Sequence, residues 1–213
     1  IGYALRGIKP KSKMFYMREG FAATSLSWIV ISIVGAVPFV VAGCIPNPVD
    51  ALFETVSGFT TTGASILPAV EGLPNGILFW RSFTHFVGGM GVLVFVLAIL
   101  PQADTRSVKL MHVMRAEVPG PKVGKLVSKI GRTARIMYGI YIGLTVIEII
   151  LLLAGGMPVY DSIVNSFATA GTGGFAIKNA SIAAYDSAYI DYVIGIFMFL
   201  FGVNFNLYYL ILI

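Results

Sequence analysis

The 213 residues are 57% hydrophobic and only 12% charged. Soluble domains carry roughly 25% charged residues, so an ordinary soluble fold is excluded. The net charge of +5 sits in two clusters, which argues against a nucleic-acid face, and the single Cys44 excludes an internal disulfide or a cysteine metal site.

Residues 1–20 hold Arg6, Lys9, Lys11, Lys13 and Arg18 against one acid, Glu19. They contain no apolar run of spanning length, and no small-residue cleavage pattern follows the first one, so they do not read as a signal peptide. A spanning helix is expected over 21–43, with Pro38 near its end. Pro46, Asn47 and Pro48 break the chain. Asp50 then stands as the expected N-cap of a short helix over 50–59, with Glu54 in its opening turns.

The next stretch is Ser57-Gly58-Phe59-Thr60-Thr61-Thr62-Gly63-Ala64-Ser65, with a loop expected over 60–65. It is too polar to cross a bilayer and too short to be a domain. Non-helical backbone at membrane depth is tolerated only where protein buries it or where it lines an aqueous cavity. A second helix is expected over 76–100, with Arg81 and His85 early in it and Gly88-Gly89-Met90-Gly91 in the middle. Those glycines are no dinucleotide fingerprint, because no strand precedes them. They read as close helix packing or a bend.

Residues 102–135 are the most polar segment, with eight basic residues against Asp104 and Glu117. They read as a cytoplasmic linker, with anionic membrane lipid or a regulatory subunit as sharper alternatives. The second half repeats the first: a spanning helix over 136–154, a short helix over 161–170 with Asp161 as its cap, a loop over 171–175, and a helix over 189–213. Laying Asp50 on Asp161 superposes Gly63 on Gly174 with no gap, an offset of 111 positions. One such loop alone reads as a tight turn. Two in register read as pore loops.

Of the 15 basic residues, only Arg81 and Lys178 lie outside the two basic segments. Segments 1–20 and 102–135 are therefore expected on the cytoplasmic side of the cell's inner (plasma) membrane, with both loops entering from outside. The expected fold class is an all-α, multi-pass membrane protein. Its repeated units, each an outer helix, a re-entrant pore helix and loop, and an inner helix, surround a central pore.

Several pieces together carry a family resemblance: Arg18-Glu19-Gly20-Phe21, Phe53 to Ala64, Phe79-Trp80-Arg81-Ser82-Phe83, Gly88-Gly89-Met90-Gly91, Gly173-Gly174-Phe175 and Gly202-Val203-Asn204-Phe205-Asn206. The chain resembles the Trk/Ktr/HKT superfamily of potassium transporters, most of all the bacterial TrkH-type membrane subunit. The resemblance implies potassium as the transported ion, with no other cofactor. It implies four units around one pore, with one filter glycine in each, here Gly63 and Gly174. The expected filter is Thr61, Thr62, Gly63, Thr172, Gly173 and Gly174, with potassium at the backbone carbonyls of Thr62, Gly63, Gly173 and Gly174. Only two units are present, so the chain is expected to be a portion of a longer one. The resemblance further implies a homodimer and a cytosolic nucleotide-binding regulatory subunit.

Arg81, Glu148 and Asn204 are candidate intramembrane charges or pore-lining groups. Glu148 is expected to pair with Arg81 or a neighbouring helix rather than touch the ion. A competing reading from another class is an intramembrane serine hydrolase with Ser57 or Ser65 as nucleophile and His85 as base. It lacks a nucleophile turn and an orienting carboxylate, and leaves the repeat unexplained.

The topology is testable. Cysteines placed at Lys122 or Lys125 should react with an impermeant thiol reagent from the cytoplasmic side only. Labelling from outside would overturn the orientation.

Overall fold

The structure is a computed structural model that describes residues 17–91 and 130–212. Expectations for 1–16 and 92–129, most of the two basic segments, lie outside the described residues. Among the described residues every element is helical.

Helix α1 spans Met17–Val41 and runs through Pro38. Helix α4 spans Ile130–Ala154. Each contains a stretch long and apolar enough to cross a membrane, Phe21–Val41 and Arg135–Ala154. Their exposed faces are apolar: Leu26, Ile29, Ile33 and Val37 on α1, and Ile142, Val146 and Ile150 on α4. Such faces fit hydrocarbon rather than water.

Two short helices follow the long ones, α2 at Pro48–Phe59 and α5 at Val159–Ala170. At 12 residues each, they reach only about 18 Å, well short of a bilayer core of about 30 Å. Their starts correct the sequence reading. Asn47, not Asp50, caps α2, its side chain accepting from Val49 N at 3.0 Å. Pro48 fits the first helical position because it needs no N–H partner there. Helix α5 starts after Pro158 without a side-chain cap, and Asp161 lies inside its first turn.

The inner helices are shorter than expected. Helix α3 spans Asn75–Gly89, not 76–100. Met90 closes it, and Gly91 adopts a left-handed φ of 79° that ends the turn. Helix α6 spans Ala188–Gly202 and is separated by Val203–Asn204 from α7 at Phe205–Leu212, so 189–213 is two helices rather than one. Extended backbone at Val203 makes the break. A 3₁₀ turn, Ser181–Tyr185, lies in the connector before α6.

Each unit packs around its short helix. Phe39, Ala36, Ala51 and Ile77 form the first core. Tyr141, Leu152, Met157, Ile194 and Phe197 belong to the larger second core. Val70, Leu78, Val164 and Ile177 join the two units. Glycines set the closest approaches. A Cβ on Gly88 would overlap the Phe59 carbonyl oxygen at the end of α2, so α3 meets α2 backbone to backbone.

Gly88→Ala should therefore cost about 1–3 kcal/mol through overpacking against backbone that has no rotamer to yield. Gly76→Ala, in open space on the same helix, should be neutral or slightly stabilising. Thermal unfolding of both variants in detergent checks the contrast.

Candidate functional site

The two Thr/Gly loops share one backbone. In the first, Thr60 N donates to Val56 O, Thr61 N to Gly58 O and Thr62 N to Ser57 O, at 2.9, 3.1 and 2.9 Å. In the second, Gly171 N donates to Phe167 O, Thr172 N to Thr169 O and Gly173 N to Ala168 O, at 3.3, 2.8 and 3.3 Å. Every bond in one loop lies 111 positions from its counterpart. Positive φ recurs at the same places: 55° at Thr61 and 53° at Thr172, then 76° at Gly63 and 82° at Gly174. A left-handed threonine costs about 1–2 kcal/mol, so its repetition marks a conformation the fold enforces twice.

The consequence is chemical. The amides are folded back onto the ends of α2 and α5. Among the described residues, none donates to the carbonyls of Thr61, Thr62, Gly63, Thr172, Gly173 or Gly174. The loops also touch: a Cβ on Gly63 would overlap the Gly173 carbonyl oxygen. Two segments of unspent carbonyls thus lie side by side. Both helices direct their C-terminal, partly negative ends toward them, which favours a cation.

A buried ion pair holds the loops from behind. Arg81 Nε of α3 lies 2.6 Å from Glu54 Oε1 of α2, both side chains almost wholly buried. Glu54 also accepts from Ser65 Oγ at 3.0 Å and Ile66 N at 2.9 Å, just past the first loop. Arg81 also donates from Nη1 to Ala176 O at 3.0 Å, just past the second loop. Its guanidinium lies 3.6 Å from the Phe175 ring centroid, and the His85 ring stacks on Phe175 at 3.9 Å. Both contacts are too close to share one face, so Phe175 is clamped between them. Removing one partner of such a buried pair costs about 3–5 kcal/mol, because the other charge stays behind.

This arrangement corrects the expected partner of Glu148. Arg81 pairs with Glu54, on the helix packed directly against its own. Glu148 is fully buried in α4; Thr169 of the neighbouring α5 lies beside it, though among the described residues neither carboxylate oxygen meets full hydrogen-bond geometry. Asn204 lies exposed in the break between α6 and α7, away from the loops in sequence, and its carbonyl accepts from Leu207 N. Among the described residues the hydrolase constellation is absent: no hydrogen bond links His85 to the Ser57 or Ser65 hydroxyl, and Ser65 Oγ donates to Glu54. His85 is instead a packing group, its ring filling the space beside Gly173. From sequence, Glu54 is placed only near the start of its helix. Its partner lies 27 residues away, a pairing no local pattern reveals.

The second unit uses neutral chemistry at the matching position. Asn165, 111 residues after Glu54, donates to Tyr185 Oη at 3.2 Å, and Tyr185 donates to Asp161 Oδ2 at 2.8 Å. Burial first, and then the bond to Asp161, push the Tyr185 phenol above its ordinary value.

Repeated helical units, with outer helices long and apolar enough to cross a membrane and two carbonyl-lined loops brought together, define an all-α fold of the membrane-transporter class. The comparisons with known proteins agree. The family model for TrkH, cation transport protein, matches residues 4–213. The Trk system potassium uptake protein TrkH of Salmonella typhimurium is 42% identical over 198 residues, covering 92% of this chain and 40% of that protein. The Trk system potassium uptake protein TrkG of Escherichia coli is 35% identical over 197 residues, again 92% and 40%. The crystal structure of the potassium transporter TrkH from Vibrio parahaemolyticus superposes with a TM-score of 0.75 at 31% identity, covering 96% of this chain and 40% of that one. The chain belongs to the TrkH family of cation transport proteins. It spans about 40% of the length of these relatives.

Tyr185→Phe should cost about 1 kcal/mol, one modest hydrogen-bond network in a half-buried place. A raised phenol pKa means the neutral form favours the fold. That contribution is complete below the ordinary phenol value of 10.0 and is lost as pH rises beyond it. Thermal midpoints measured across alkaline pH should therefore fall in the wild type through this group, and that component should vanish in Tyr185→Phe.

Proposed function

We propose that this chain forms part of a potassium uptake pathway, with Thr61, Thr62, Gly63, Thr172, Gly173 and Gly174 as its share of a selectivity filter. The observation that carries the reading is the pair of adjoining loops whose carbonyls are left unspent by the described residues. Carbonyl rings can replace the hydration shell of potassium, and two helix C-termini add negative potential at the same place. The relatives named above as potassium uptake proteins favour the same ion.

In this reading the ion is held at the carbonyls of Thr62, Gly63, Gly173 and Gly174. Two further units of the same kind complete the ring, because two loops enclose only part of a path and leave its other side open to lipid. Segments 1–20 and 102–135 face the cytoplasm, and the loops enter from outside. The homodimer and the nucleotide-binding regulatory subunit implied by the family belong to the same proposal.

The filter glycines supply the test. Ser at Gly63 would overlap Gly173 O and adopt a left-handed φ; Ser at Gly174 meets only the φ penalty, its Cβ lying in open space. Gly63→Ser should lower the preference for potassium over sodium strongly, and Gly174→Ser more weakly. Gly58→Ser is a poor control, since its Cβ would overlap Thr84 Oγ1. The measurement is rubidium and sodium uptake by the full-length protein at verified expression. Unchanged preference in both glycine variants would remove the filter assignment.

A further inference from the structure

The Glu54–Arg81 pair does more than fill a buried space. It has five polar or ring contacts, and those beyond the pair itself converge on the chain leaving the two loops. On the first loop's side are Ser65 and Ile66; on the second loop's side are Phe175 and Ala176. Arg81 belongs to the first unit yet grips the second unit's loop, 95 residues on. A guanidinium is suited to this because its planar fork directs several donors at fixed angles while one face stacks on a ring.

We propose that Arg81 and Glu54 are specificity-determining positioning residues: together they set the spacing between the two loops, and hence the carbonyl geometry that separates potassium from sodium. This rests on the filter reading given above. Neither group touches the ion. The pair acts through the peptide units at 65–66 and 175–176, each within three residues of a filter glycine. The loops' own contact cannot set their separation, because Gly63 and Gly173 meet without side chains. A filter discriminating ions of like charge needs its carbonyls held against collapse onto the smaller ion. A charge-assisted strut resists that better than neutral hydrogen bonds do.

Two variants weaken the strut: Arg81→Lys keeps both charges, and Glu54→Gln keeps the side-chain shape while leaving the Arg81 charge without its carboxylate. Arg81→Lys keeps the charge but cannot donate to Glu54 and Ala176 O at fixed angles while stacking on Phe175. Glu54→Gln turns one of two acceptors into a donor, so either Ile66 N or the Arg81–Ser65 side loses its partner. Tyr160→Phe is the comparison: it removes a bond from α5 to Asn75 O that joins the units away from the loops. Rubidium and sodium uptake, potassium KM and membrane expression are measured in the full-length protein, with Gly63→Ser and Gly174→Ser alongside.

The potassium-over-sodium preference should fall about tenfold in Arg81→Lys and in Glu54→Gln, the scale of one lost charge-assisted bond. Potassium KM should rise with it, at normal expression. Tyr160→Phe should leave the preference unchanged. If Gly63→Ser or Gly174→Ser shifts the preference and the two strut variants do not, the strut is overturned while the filter stands. If neither Gly63→Ser nor Gly174→Ser shifts the preference, the filter reading fails and the strut with it. An equal shift in Tyr160→Phe, or loss of both strut variants from the membrane, would make the pair a general packing element and also overturn the proposal.

Discussion

Two bare backbones meet where Gly63 lies against the Gly173 carbonyl. Nearly every other feature follows from keeping that contact at the right distance. No side chain fits between the loops, so none can space them. The amides are consumed by the ends of α2 and α5, which fixes each loop to its own helix. The helices are in turn fixed to each other through α3, whose Gly88 lies against the Phe59 carbonyl and whose Gly89 approaches Gly171. Glycine therefore recurs at three successive contacts for one reason: backbone must approach backbone. Helix α3 is the wedge that joins the units, which explains why its side chains are the most fully engaged.

The parts of this arrangement that were legible in the sequence are the local ones. Thr61-Thr62-Gly63 and Thr172-Gly173-Gly174 announce themselves because a left-handed turn after a short helix demands small or glycine residues nearby. The outer helices are legible from apolar length alone. The cap of α2 was misplaced because Asp50 and Asn47 both suit an N-cap by composition, and Pro48 decides between them only once its fixed φ is considered. The inner helices were read as continuous because apolar composition carries on through Gly91 and Val203, while the backbone does not. Hydrophobicity reports what a segment can be buried in, and is silent on whether its hydrogen bonds are unbroken.

Pairings over distance were the least legible. Arg81 had two acidic candidates in apolar surroundings, Glu54 and Glu148. Composition cannot rank them, but the repeat can. Glu54 sits on the helix whose C-terminus feeds the first loop, and α3 packs against that helix directly. Glu148 sits on an outer helix of the other unit. The fold therefore settles the partner of Arg81, and leaves Glu148 fully buried on the side of α5.

The two units share a loop backbone but not the chemistry behind it, and the asymmetry has a physical logic. Glu54 corresponds to Asn165, and the position matching Arg81 in the equally long α6 is the buried apolar Ile194. A cation behind each loop would put positive potential next to the carbonyls proposed to attract a cation, in surroundings where charges are poorly screened. A single guanidinium neutralised at 2.6 Å by Glu54 avoids that field and still reaches both loops. The second unit steadies its helix without a cation, through Asn165, Tyr185 and the Asp161 carboxylate. Duplicated backbone with unduplicated charge is what this electrostatic constraint favours, because the repeat can copy the carbonyls freely but not the cation that holds them.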